Sequence, residues 1–150
     1  MRISTTLLTA VAVFGAAQAQ AQTPAASTRA YRDGPVVDMT YVRTKPGMFD
    51  RYMQYLSTTY KTSMEAQKTA GLVTSYTVHA SDPRTPQDHD VLLIVTYRNW
   101  AALDNFADRA EPVANRASRN TPAERDQAFA DRSAMRDILG NRKYQVLLLK

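Results

Sequence analysis

From Pro35 onward the apolar and polar positions alternate between two periods. Residues 35–43, PVVDMTYVR, are β-branched and aromatic and predict a strand. Lys45-Pro46-Gly47 follows, with Pro46 suited to a helix entry. Beyond it Phe49, Tyr52, Met53, Leu56, Tyr60 and Met64 recur at the spacing of one helix face. Gly71 is placed to end that helix as its C′ glycine. Residues 71–80, GLVTSYTVHA, alternate as a second strand, and SDPRTPQD after them reads as a loop. Residues 89–98, HDVLLIVTYR, predict a third strand. Asn99 is an N-cap for a helix whose stripe is Leu103, Phe106, Ala107 and Ala110, with Pro112 expected to kink or end it. TPAE at 121–124 has the form of a capping box and opens another helix, expected to end near Leu139 with Gly140 as C′. KYQVLLLK at 143–150 predicts a last strand.

The order β-α-β-β-α-α-β, with the two later helices counted as one broken crossover, predicts an α+β fold. It is the ferredoxin-like βαββαβ arrangement: a four-stranded antiparallel sheet with helices on one face. The other face should then be polar. Instead VLLIV and VLLL are apolar at both parities, so both faces of those strands call for burial. Four strands about 4.8 Å apart, each about six residues long, expose a face of roughly 400 Å² in projection. Apolar patches of that size mark interfaces. A homodimer joined sheet to sheet is therefore expected; the leader or the helix after Pro112 is the alternative cover.

The N-terminus changes the picture of where this fold operates. One Arg, an apolar run from about Leu7 to Ala17, and two A-x-A patterns ending at Ala19 and Ala21 form a secretory signal peptide over 1–21. The apolar run is too short to span a bilayer, so no membrane span is expected. Cleavage near Ala19 or Ala21 predicts a periplasmic or secreted protein. Residues 22–34 are small, polar and aperiodic and are expected to be a disordered leader, leaving 35–150 as the domain. The chain has no Cys, hence no lipid-bearing cysteine, no disulfide and no thiol nucleophile. Its formal charge of +5 is spread among interleaved acids and bases, as in AERDQAFADRSAMRD. That pattern is a solvated helix face, not a nucleic-acid footprint, and no nucleic-acid partner is expected.

Val36 to Phe106 resembles the dimeric α/β-barrel superfamily, which includes antibiotic biosynthesis monooxygenases, haem-degrading monooxygenases, NIPSNAP-like domains and stress-response barrel proteins. The resemblance is carried by the strand running into KPGMFDRYMQYL, by AGLVTSY entering strand two, and by strand three running into YRNWAALDNF. It implies the sheet-to-sheet dimer and a pocket between helices and sheet. Trp100 resembles the Trp that opens the helix after strand three in monooxygenase-like members. Haem-degrading members ligate iron through a His further along that helix. No His lies between Trp100 and Gly140 here, so that activity does not carry over.

Eight tyrosines give the chain its chemical character. Tyr41, Tyr52, Tyr55, Tyr60, Tyr76 and Tyr97 fall on the first three strands or the first helix, and a ring with a polar tip suits a pocket of mixed character. Tyr41, Tyr52, Tyr97 and Trp100 are the expected ligand-binding set, placed by the resemblance at the pocket's wall or mouth. His79 and His89 flank the SDPRTPQD loop near Asp82, Asp88 and Asp90, the weak candidates for a metal; His79 is also the weak candidate for a general base. G-x-S-x-G, the phosphate loop, H-E-x-x-H and C-x-x-C are all missing, and no cofactor is expected. The expected function is binding of a small apolar or aromatic molecule between helices and sheet. The alternatives are a cofactor-independent monooxygenase-like or isomerase-like enzyme using the same pocket, and a sugar- or envelope-surface binder using Arg125, Arg132 and Arg136.

Overall fold

The computed structural model describes residues 29–119 and 121–150. The signal peptide, its cleavage site and most of the leader lie outside the described residues. Strand β1 (Tyr31–Thr44) leads to helix α1 (Phe49–Tyr55), a π turn (Leu56–Tyr60) and helix α2 (Lys61–Thr69). Strands β2 (Ser75–Ala80) and β3 (Val91–Tyr97) follow, then a 3₁₀ turn (Trp100–Leu103), helices α3 (Phe106–Ser118) and α4 (Pro122–Met135), and strand β4 (Arg136–Leu149). The four strands form one sheet in the order β2-β3-β1-β4, and every neighbouring pair is antiparallel. The chain is thus α+β: a four-stranded antiparallel sheet with three helical rods, α1 and α2 being joined through the π turn.

Pairing register assigns the faces. Val36 pairs with Tyr97 and Val42 with Val91, and directly paired side chains share a face. Val42 and Val91 form the first core cluster with Tyr52, Leu56 and Met135. Val36 and Tyr97 form the second with Val73, against which Phe106 and Leu103 pack. Both clusters therefore occupy the helix-covered side. Val37, Met39, Tyr41, Leu92 and Ile94 have the opposite parity on these strands and belong to neither cluster.

Local chemistry accounts for most boundaries. Gly71 sits at φ +70°, its N–H donates to the Lys68 carbonyl at 3.0 Å, and the Leu72 N–H donates to the Gln67 carbonyl at 2.9 Å. These are the two bonds of a Schellman motif, as the C′ glycine implied. Thr121 and Glu124 form a reciprocal capping box that starts α4.

Three boundaries differ from the expectation. Strand β1 begins at Tyr31, inside the segment expected to be leader, because Tyr31, Arg32 and Asp33 pair with Leu149, Leu148 and Leu147. Helix α4 ends at Met135, and Gly140 is not its C′ residue. Arg136, Asp137 and Ile138 pair with Thr44, Arg43 and Val42, and Gly140 pairs with Tyr41 across a register shift. A long β1 offers partners that outweigh the helical spacing of Ile138 and Leu139. Asn99 does cap a helical turn, accepting from Ala102 N–H at 3.0 Å. That turn is 3₁₀ and stops at Leu103; Asn105 at φ +49° then resets the chain, and α3 runs through Pro112 to Ser118 instead of ending there.

Candidate functional site

The expected quartet does not converge. Tyr41 neighbours Val42 on β1 and so lies on the other side of the sheet. There its ring meets His89 edge-on, with centroids 5.0 Å apart. Its hydroxyl is within hydrogen-bonding reach of Tyr144, which raises the Tyr41 pKa and lowers that of Tyr144. Tyr52 is wholly buried in the first cluster, and Tyr97 in the second, edge-on to Phe106 at 5.1 Å. Trp100 is 48% exposed and borders an open groove of about 640 Å³ with Arg98 and Gln145.

The histidines are also apart in role. His79 Nε2 lies 2.9 Å from Thr77 Oγ1, while His89 faces Tyr41. The acids beside them serve the loop. Asp88 accepts the Arg84 and Thr85 backbone N–H groups at 3.0 and 2.9 Å, which hold its carboxyl below the usual range. Asp90 accepts from the Thr44 N–H at 2.9 Å and from its hydroxyl. Among the described residues no group of three or more His, Asp or Glu side chains is arranged to hold a metal.

A different set of tyrosines does converge, around the π turn. Ser57 and Thr58 sit one after the other there, and both hydroxyls donate to the Gln54 carbonyl, at 2.9 and 2.8 Å. Back-bonding of this kind competes with the regular helical ladder and gives a local reason for the widened turn. The turn carries Tyr60 toward the sheet, where its ring meets Tyr76 edge-on at 5.9 Å. Tyr52 and Tyr55 stack at 6.0 Å on the preceding helix. Tyr76 donates to Glu65 Oε1 at 2.7 Å.

Tyr52 and Tyr60 are different: both hydroxyl oxygens are buried with no partner in hydrogen-bonding geometry, as is Arg136 Nε, though the Arg136 guanidinium lies near enough to the Tyr52 hydroxyl to act on it, and Tyr60 has no such neighbour. Such groups are rare in folded proteins and each requires a reason. Arg136 places its guanidinium over the Tyr52 ring at 5.5 Å. Arg132, one turn earlier on α4, lies over Tyr55 at 5.6 Å and reaches its hydroxyl at 3.5 Å. Both arginines, members of the basic set Arg125, Arg132 and Arg136, are half-buried and hold their guanidiniums over tyrosine rings. An open cleft of about 240 Å³ lies alongside, with Tyr55, Tyr60, Ser63, Asn115, Arg125 and Arg132 among its walls.

Burial sets the protonation of these groups. It pushes Tyr52 up to about 12, against the opposing pull of Arg136, and drives Tyr60 higher still. Tyr97 is raised to about 12 by burial and then by the Asp38 carboxylate. All three therefore keep their protons at neutral pH and are not phenolate bases. Tyr60, Tyr55 and Arg132 were the residues sequence reasoning left out of the ligand set. Tyr60 stood in the helix stripe all along, but nothing in the spacing marked its hydroxyl as unpartnered.

No protein-family model matches this chain, and no curated protein matches it. Among solved structures, the crystal structure of HapK from Hahella chejuensis is similar, at 15% sequence identity and a TM-score of 0.47. The match covers 74% of this chain and 91% of HapK. Likeness at that level leaves function to be read from this chain's own residues.

Proposed function

We propose that this protein is an exported, dimeric binder of a small aromatic molecule, of the ferredoxin-like α/β-barrel kind, with its site among the helices at the π turn, where the first rod, α3 and α4 wall a cleft. One observation carries the reading: Tyr60, whose hydroxyl is buried and unpartnered, walls a cleft together with the Tyr55 ring. An unsatisfied buried hydroxyl costs about 1–3 kcal/mol, and a ligand acceptor or a bound water removes that cost. Turns of the π type are rare and occur often at functional sites. Rings supply apolar contact and hydroxyls supply direction, the usual division of labour in a small-molecule pocket. Export rests on the A-x-A signal pattern and dimerisation on the apolar, unclustered sheet face.

Thermal shift with single-ring aromatic compounds tests the reading, since a ligand that binds only the native state raises Tm. A rise for the wild type that shrinks in Tyr60→Phe supports it. The absence of any shift across such a panel would sink it. Product formation from a bound compound under oxygen, followed by mass spectrometry, would make the site catalytic rather than a binding site.

A further inference from the structure

The walls of the π-turn cleft have a sign. Arg125 and Arg132 line it, and none of the described residues lining it is Asp, Glu or Lys. Glu111 is linked to this wall only through Asn115 Nδ2, at 3.5 Å. Arg132 and Arg136 form no ion pair with a carboxylate among the described residues. Both guanidiniums are half-buried and held over tyrosine rings, Arg136 over Tyr52 and Arg132 over Tyr55 and Phe129. Partly buried charge without a counter-ion is costly, and an arriving anion relieves that cost. A guanidinium is also a planar fork of donors that matches a carboxylate with two parallel bonds.

Size limits what such an anion is attached to. An apolar cavity of about 150 Å³ holds benzene. The cleft, at about 240 Å³, has room for one ring with a short polar substituent and not for a fused polycycle held entirely within it. Its walls set tyrosine rings beside guanidiniums, Tyr55 and Tyr60 on the first rod and Arg125 and Arg132 on α4. We infer that the ligand is a single-ring aromatic carboxylate, its ring against Tyr55 and Tyr60 and its carboxylate on Arg132. This rests on the small-molecule reading above and adds the charge and the size of the ligand to it.

Isothermal titration of the mature protein with benzoate, and separately with its neutral near-isostere benzamide and with benzyl alcohol, tests the charge. Benzoate should bind at least about tenfold more tightly than benzamide, the effect of one charge-assisted bidentate contact. That preference should fall as salt is raised, and Arg132→Gln should abolish it. Equal affinity for benzoate and benzamide in the wild type, or a preference that survives both salt and Arg132→Gln, overturns the anion inference and leaves aromatic binding standing. Failure of all three compounds to bind at millimolar concentration overturns the binding reading and this inference together. The salt series on the wild type decides the matter even where the variant folds poorly.

Discussion

Tyr52 closes the first core cluster with its ring and leaves its hydroxyl without a partner, so its two ends pull stability in opposite directions. Removing the ring should be severe: Tyr52→Ala is expected to cost about 3–5 kcal/mol, read by urea unfolding, because a fully buried aromatic leaves a cavity. Removing only the oxygen should not be. Tyr52→Phe is expected to leave stability unchanged or to raise it by up to about 1 kcal/mol, since an unpaired buried hydroxyl is a cost in the free protein. A loss above that size in Tyr52→Phe would mean the hydroxyl has a strong partner. The same burial predicts the response to alkali. Tyr52 and Tyr97 have folded values of about 12 against an ordinary 10.0. Between those values the unfolded chain releases protons that the folded chain keeps, so the unfolded state binds fewer and stability falls as pH rises. Urea midpoints should therefore be flat with respect to these groups below pH 10 and drop from about 10 to 12. The drop should be smaller in the double variant Tyr52→Phe, Tyr97→Phe. The rings were legible as a stripe because side-chain spacing follows the helix period. The fate of each hydroxyl was not, because it depends on what α4 brings across a sequence separation of roughly eighty residues.

At the level of elements, the π turn and the glycine cap of the first helical rod make separate predictions. A turn closed by i→i+5 bonds holds one residue more than an α turn. A chain lacking Thr58 should close the turn as α-helix, keep α1 and α2 in their seats, and draw Tyr60 away from the cleft. Its Tm should match or exceed that of the wild type while benzyl alcohol binding is lost; a collapse of the fold would show that the widened turn serves packing instead. Gly71, at φ +70° with open space around an added Cβ, isolates backbone strain from crowding. Gly71→Ala should cost about 1 kcal/mol by chemical denaturation, the left-handed penalty alone. Gly71 and the Thr121–Glu124 box were readable in the sequence because each acts within one turn. The start of β4 was not. Arg136 to Gly140 follow a helical spacing locally and become strand only because β1 is long enough to pair with them. Trp100 shows the same limit: its cap at Asn99 was legible, but the left-handed break at Asn105 was not, as Asn tolerates that conformation without demanding it.

Across the whole molecule, as far as the described residues go, the sheet carries both core clusters on one face and neither on the other. The β-α-β-β-α-α-β order and the apolar content of both faces of β3 are legible in the sequence, because periodicity and strand parity need nothing else. Register names the side chains of that second face: Val37, Met39 and Tyr41 on β1, with Leu92 and Ile94 beside them on β3, all half-buried. Central strands with apolar side chains on a face outside both core clusters have two outcomes in water, self-association or aggregation. A second copy of the same sheet supplies a matching surface, and a stable pair buries about 800 Å² on each partner. Light scattering at micromolar concentration should therefore return twice the mass of the mature chain. Ile94→Lys places a charge at the middle of that face without touching Val42, Tyr52, Leu56, Val91 or Met135, so the first core cluster should survive it. The variant should scatter as a monomer with an unchanged far-UV CD spectrum, and it should retain aromatic binding, because the π-turn cleft lies on the helix side. A wild type that stays monomeric at that concentration would overturn the dimer, and a monomeric Ile94→Lys that loses binding would show that the cleft depends on the pair.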